Sequence, residues 1–261
     1  MTKKTALVLT GGGARAAYQV GALQALAQIL PPTENPFSIL SGTSAGAINA
    51  GFLASRAQAW KPAIQDLHRL WSGLELHDIY LTNGLSLTRI AWGWIVRTLF
   101  GAFLKKKNRA NFLLDTKPLR TLLEREMDFA QIQKNFETHD LQGLSFTALD
   151  YGSGINTTFF HGACATAPWT RSGRIGMGVE LTENHVMASS AIPVFFPPIK
   201  LDEKYFGDGS LRQSAPLSPA LHMGADRMLA ISIRYEKKKS DDDETKHLPI
   251  HAPSLAEIGG Q

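Results

Sequence analysis

The chain has one cysteine in 261 residues, so no internal disulfide can form and a reducing compartment is expected. That residue, Cys164, sits in Gly162-Ala163-Cys164-Ala165 with no basic neighbour to lower its pKa, and reads as a structural thiol. Cys/His clusters are missing, and His68 and His77 do not share a ligand spacing, so no metal and no cofactor are expected. No apolar run approaches the ~20 residues of a membrane-spanning helix. The first apolar run, Thr5-Ala6-Leu7-Val8-Leu9, is too short for a signal-peptide core and runs into glycines where a cleavage region would be. A cytoplasmic protein is therefore expected. The net charge of +4 is mild and permits attraction to an anionic membrane surface. The basic run at Lys105 is too short to argue for a nucleic acid, and no internal repeat is evident.

What is present is an alternation of apolar runs and helical patterns, the mark of an α/β fold. Strands are expected at 6–9, 37–40, 145–150, 157–160 and 228–233. Helices are expected at 17–29, 45–57, 62–74, 117–127 and 216–223. Together they imply a single domain over 1–261, a three-layer α/β/α sandwich around a mostly parallel central sheet. Two segments depart from this plan. Residues 85–109 place Trp92, Ile95, Val96, Leu99 and Phe103 on one helical face ahead of Lys105-Lys106-Lys107. That pattern suits either a cap helix on the core or a lid or membrane-interfacial segment, with lysines meeting phosphates. Residues 236–252 carry Lys237-Lys238-Lys239 and then Asp241-Asp242-Asp243-Glu244, and read as a mobile loop. At 253–257 a capped helix begins that stops at Gln261, so the chain reads as a truncated form of something longer.

The strongest single motif is Gly42-Thr43-Ser44-Ala45-Gly46, a G-x-S-x-G between an expected strand and an Ala-rich helix. Such an elbow turns sharply and strains the serine backbone, so Gly42 and Gly46 are needed on either side of Ser44. Directly after the first strand comes Gly11-Gly12-Gly13-Ala14-Arg15. Its backbone N–H groups can converge on an anion, either a bound phosphate or the oxyanion of a tetrahedral intermediate. The phosphate alternative has some support. Gly11-x-Gly13-x-x-Ala16 fits a dinucleotide fingerprint, with Glu34 about 20 residues on. But Glu34 lies among Pro31, Pro32 and Pro36 instead of ending a strand, and a dinucleotide-binding oxidoreductase leaves Ser44 unexplained. Farther on, Phe206-Gly207-Asp208-Gly209-Ser210 presents a carboxylate in a turn. It is preceded by Ala188-Ser189-Ser190-Ala191-Ile192-Pro193.

These four elements, in this order and spacing, resemble the patatin-like phospholipases of bacterial type, from Ala6 to Ile233; 85–109 is covered least. The resemblance implies a patatin-like fold with Ser44 as nucleophile and Asp208 completing a Ser–Asp dyad. Gly11, Gly12 and Gly13 match the oxyanion loop, and Arg15 its basic residue, which either positions the loop or contacts substrate phosphate. Two positions differ: Ala16 replaces a frequent glycine, and Ser210 stands where the family has Gly or Ala. The Ser210 hydroxyl could lower the basicity of Asp208.

The implied activity is hydrolysis of carboxylic esters in phospholipids or lysophospholipids, at or near a membrane surface. For a carboxylate to act as base near neutral pH, Asp208 should lie in an apolar pocket with a raised pKa. The alternative base is a histidine, with His161 and His185 nearest the motifs in sequence. A catalytically silent lipid-binding or scaffold protein of the same fold is the rival from a different class. Sequence leaves the oligomeric state, acyl position and head group open.

Overall fold

The computed structural model describes residues 3–30, 35–81, 112–162, 167–212 and 216–233. Cys164, Glu34, the 85–109 segment with its lysines, the 236–252 loop and the 253–257 helix start lie outside these residues.

The chain opens on β1 (Thr5–Leu9), a turn of 3-10 helix (Gly13–Ala16) and α1 (Ala17–Ile29). Then come β2 (Ile39–Thr43), α2 (Ala45–Ala54) and α3 (Trp60–Gly73). A short α4 (Leu76–Ile79), α5 (Lys117–Glu126) and α6 (Phe129–Glu137) lead to β3 (Gly143–Asp150) and β4 (Asn156–Gly162). The remainder is β5 (Trp169–Arg171), β6 (Arg174–Gly178), α7 (Glu183–Ser189), β7 (Ile199–Leu201), β8 (Lys204–Asp208), α8 (Ser218–His222) and β9 (Arg227–Ile231).

Among the described residues the sheet runs β5-β6-β4-β3-β2-β1-β9, with β7 and β8 attached at β3. The strands β9, β1, β2 and β3 are all parallel, and antiparallel strands are added beyond them on β3. The sheet is therefore mixed: β9, β1, β2 and β3 form a parallel half, and the other half contains antiparallel pairs together with the parallel pair β4–β6. Side chains alternate across it as the period-2 geometry of a strand requires. Leu7, Leu9, Leu40 and Phe159 enter the large core under α1, α2, α3, α5 and α7. Ala6, Val8, Ile39 and Phe160 enter a smaller core on the opposite face with Trp169 and Ala220 of α8. Apart from Asn49, α2 carries only apolar residues and glycine, and every residue in it is buried except Ile48, as expected of a helix pressed onto the centre of a sheet.

The register explains how residues far apart in the chain meet. On the side of β3 away from β4, β2 pairs up to Thr43↔Thr147 and then stops. Antiparallel β8 takes over at the next position, Asp208↔Ala148. The two strands thus run toward each other along β3 and both turn away where they meet. At that junction Ser44 leaves β2 and Asp208 ends β8. Beside it, Leu9 pairs with Gly42 on one side and Ile231 on the other, which brings the loop after β1 to the same edge. Parallel sheets characteristically place their sites at the carboxyl ends of the strands.

Candidate active site

Ser44 links β2 to α2 with φ 56° and ψ −129°, a left-handed backbone for a residue with a side chain. Such strain costs of order 1–3 kcal/mol and persists only where the surroundings impose it. Here backbone imposes it. A Cβ at Gly42 would lie 2.4 Å from the Gly46 carbonyl oxygen, and one at Gly46 would lie 2.2 Å from the Leu9 carbonyl oxygen. The elbow glycines are therefore fixed by close approach of α2 to its own strand β2 at Gly42 and to β1 at Gly46.

Ser44 and Asp208 are both buried, at 3% and 4% exposure, and the Ser44 hydroxyl donates to Asp208 Oδ2 at 2.5 Å. The other carboxylate oxygen, Oδ1, accepts the backbone N–H of Ser210 at 2.8 Å. Burial pushes the Asp208 carboxyl above the usual carboxylate range, opposed by the hydrogen bonds from Ser44 and from the backbone and hydroxyl of Ser210.

The glycine loop lies against this pair. A Cβ on Gly11 would come within 2.9 Å of Ser44 Cβ and 2.8 Å of Ser210 Cβ. Gly12 faces Ile233, and Gly13 has φ +54°. Arg15 is exposed on the 3-10 turn that follows, whose first bond runs from the Arg15 N–H to the Gly12 carbonyl at 3.1 Å.

The two histidines considered as bases are engaged elsewhere. His161 Nδ1 lies 3.2 Å from the Val179 carbonyl oxygen, and its ring packs on Phe136. His185 Nδ1 accepts the Thr182 N–H at 3.0 Å in a capping box at the start of α7, with its ring edge-on to Phe159. Burial holds this imidazole below its usual range, in keeping with an accepting, neutral ring.

Two sets of polar side chains behind the site were not assigned roles by sequence. In the first, Ser189 accepts the Ser44 N–H at 2.9 Å and donates to the Thr147 carbonyl at 2.6 Å. Ser190 donates to the Ser44 carbonyl at 3.1 Å. The serines of the Ala188-Ser189-Ser190-Ala191 stretch thus grip the elbow residue by both ends of its backbone. In the second, Gln19 and Asn49, both completely buried, lie between the helices and the glycine loop. The available signal was Asn49, the one strongly polar side chain of α2, an otherwise apolar helix.

A serine on a strained strand-to-helix elbow thus faces a buried carboxylate and a glycine loop at the carboxyl edge of the parallel strands. The family profile described as patatin-like phospholipase matches residues 7–221, and the chain belongs to that family, whose activity is lipid acyl hydrolysis. The fold is similar to that in the crystal structure of VipD from Legionella pneumophila, with a TM-score of 0.51 and 16% identity. That match covers 94% of this chain and 53% of VipD, so the chain spans about half the length of that protein. A weaker likeness is to ExoU in its complex with SpcU from Pseudomonas aeruginosa, with TM-score 0.35 and 19% identity over 60% of this chain and 34% of the other. No curated protein matches the sequence. Among the described residues no helix is long and apolar enough to cross a membrane, and no group of His, Cys, Asp and Glu could hold a metal ion.

Proposed function

We propose that the protein cleaves carboxylic ester bonds of phospholipids or lysophospholipids through a Ser44–Asp208 dyad. The observation that carries this reading is the 2.5 Å hydrogen bond between the two side chains inside a buried site. Asp208 takes the Ser44 proton as Oγ attacks the ester carbonyl, and the negative charge forms on the former carbonyl oxygen beside the N–H groups of Gly11, Gly12 and Gly13. Collapse of the tetrahedral intermediate breaks the bond to the alcohol, which leaves with the proton held by Asp208. Water then attacks the acyl-serine, gives its proton to Asp208, and releases the fatty acid as Ser44 is reprotonated. The raised basicity that burial confers on Asp208 is what a carboxylate base needs near neutral pH. Arg15 serves to hold the shape of the loop.

The substrate is met at a lipid surface. Val194, Phe195 and Leu211, which follow the Ser189–Ser190 box and the Asp208 turn in the chain, are exposed apolar side chains suited to contact with acyl chains.

The test is fatty acid release from mixed phospholipid vesicles by the unaltered chain, Ser44→Ala and Asp208→Asn. Loss in both variants, by a factor of about 10² or more, is expected for the two halves of a nucleophile–base unit. Wild-type turnover in Asp208→Asn would remove the dyad from the mechanism. The same variant should melt at a higher temperature than wild type at neutral pH. A carboxyl whose pKa is raised by folding contributes its full stabilisation below its unfolded pKa and loses it as pH rises through its folded one.

A further inference from the structure

The buried amides behind the glycine loop form a single directed chain of hydrogen bonds, and its direction is fixed at both ends. It begins at the indole of Trp71 on α3, whose Nε1–H donates to Asn49 Oδ1 on α2 at 2.7 Å. An indole can only donate, so the Asn49 amide must turn its oxygen toward Trp71 and its nitrogen away. That nitrogen donates to Gln19 Oε1 on α1 at 2.9 Å. Gln19 must in turn present its own nitrogen beyond, where Nε2 donates to the Thr10 carbonyl at 2.7 Å and lies 3.4 Å from the Ile231 carbonyl. Carbonyls can only accept. Neither amide can flip without placing like groups against each other at both of its ends, and burying an unsatisfied amide is costly.

The end of this chain is the residue just before the glycines. A trans peptide is planar, with its C=O and the following N–H pointing in opposite directions. Holding the Thr10 carbonyl toward Gln19 therefore fixes the Gly11 N–H within that plane, pointing to the opposite side of the chain. Gly11 is the loop residue packed against Ser44, with the hypothetical Cβ only 2.9 Å from the serine's own. We infer that Gln19, oriented by Asn49 and Trp71, is a positioning residue that aims the Gly11 amide for the oxyanion. This inference rests on the reaction proposed above and adds residues to it that touch neither substrate nor reacting atoms.

The test uses the full chain with a short soluble ester, p-nitrophenyl butyrate, so that lipid binding does not enter. It also measures hydrogen–deuterium exchange of the peptide covering residues 10–13, which needs no turnover. In folded Gln19→Leu, kcat should fall about 10- to 100-fold with KM within about twofold, less than outright loss of an oxyanion donor because the amide is misaimed and not removed. The loop amides should exchange faster. Gln19→Glu should be impaired at high pH, where a carboxylate oxygen opposes the Thr10 carbonyl oxygen. Relative to wild type it should recover as pH falls and the carboxyl gains a proton to donate. A role in stability alone gives no such recovery. Should Gln19→Leu fail to fold, Trp71→Phe at the half-buried outer end carries the test, with a kcat loss of a few fold expected. With an active wild type, kcat retained within twofold in the folded variant overturns the inference, whatever the exchange. A wild type that does not hydrolyse the ester refutes the proposed reaction instead, and unchanged loop exchange then refutes the positioning role.

Discussion

The elbow and the glycine loop both bring backbone close to Ser44, yet they are held in different ways. At the elbow, the atoms that forbid a side chain at Gly42 and Gly46 are themselves backbone, in β1 and α2. Neither can give way without moving a strand or a helix. At the loop, the atom nearest a Cβ on Gly12 is Cδ1 of Ile233, at 1.7 Å, the far end of a flexible side chain. A Cβ on Gly13 would meet nothing within 4 Å. The elbow is shaped by packing of the scaffold, whereas the loop takes its shape from side chains that reach it from elsewhere. Placement of Ser44 is thus built into the fold, and placement of the glycine loop is added to it.

The comparison can be broken by alanine substitution at each place. Gly46→Ala should have the largest effect. It forces α2 away from β1, with overpacking of about 1–3 kcal/mol or more in stability and about 10²-fold in turnover from misplacing Ser44. Thermal melting and kcat on a soluble ester would show both, and a variant that melts and turns over like wild type would contradict the steric account. Gly12→Ala should cost less, about 1 kcal/mol for driving Ile233 off its rotamer. Ile233→Ala in the same chain should restore most of the loss, and no such rescue is available to Gly46→Ala.

The smallest effect is expected where loop and dyad touch. Ser210 Cβ lies against Gly11, and the hydroxyl helps hold the Asp208 carboxyl down against burial. Ser210→Ala should let that carboxyl rise further. In the proposed reaction, activity requires the ionised form and is lost as pH falls through the Asp208 pKa. The acidic limb of the kcat profile should therefore move to higher pH, by a fraction of a unit for one neutral hydrogen bond. An unmoved limb would show that the hydroxyl does not act on the dyad.

The elbow was legible in sequence because its constraint is local: glycines two residues either side of a serine, between an apolar strand and an Ala-rich helix. The strands β1, β2, β3, β4 and β9 were legible as apolar runs. The edge strand β5 and its neighbour β6 were not, since Trp169–Arg171 is three residues long and Arg174–Gly178 carries two glycines and is largely exposed. The short α7 was visible only as a motif. Within the site, Ser44 and Asp208 stood out by the glycines around them. Gln19 did not, because a glutamine in a helix is ordinary until the helix is seen to bury it beneath Thr10. Long-range polar contacts of this kind leave no periodicity to read.

The head-on meeting of β2 and β8 along β3 has a consequence for how the protein is made. Ser44 and Asp208 are 164 residues apart in the chain, and the Thr10 backbone N–H donates to the Ile231 carbonyl. A chain synthesised from its N-terminus exposes the serine early, but the carboxylate has no place to dock until β3 is formed and β8 has left the ribosome. Closing so long a loop is among the slower steps of folding. In the proposed reaction, the power to cleave lipid therefore waits for the last strands of the sheet.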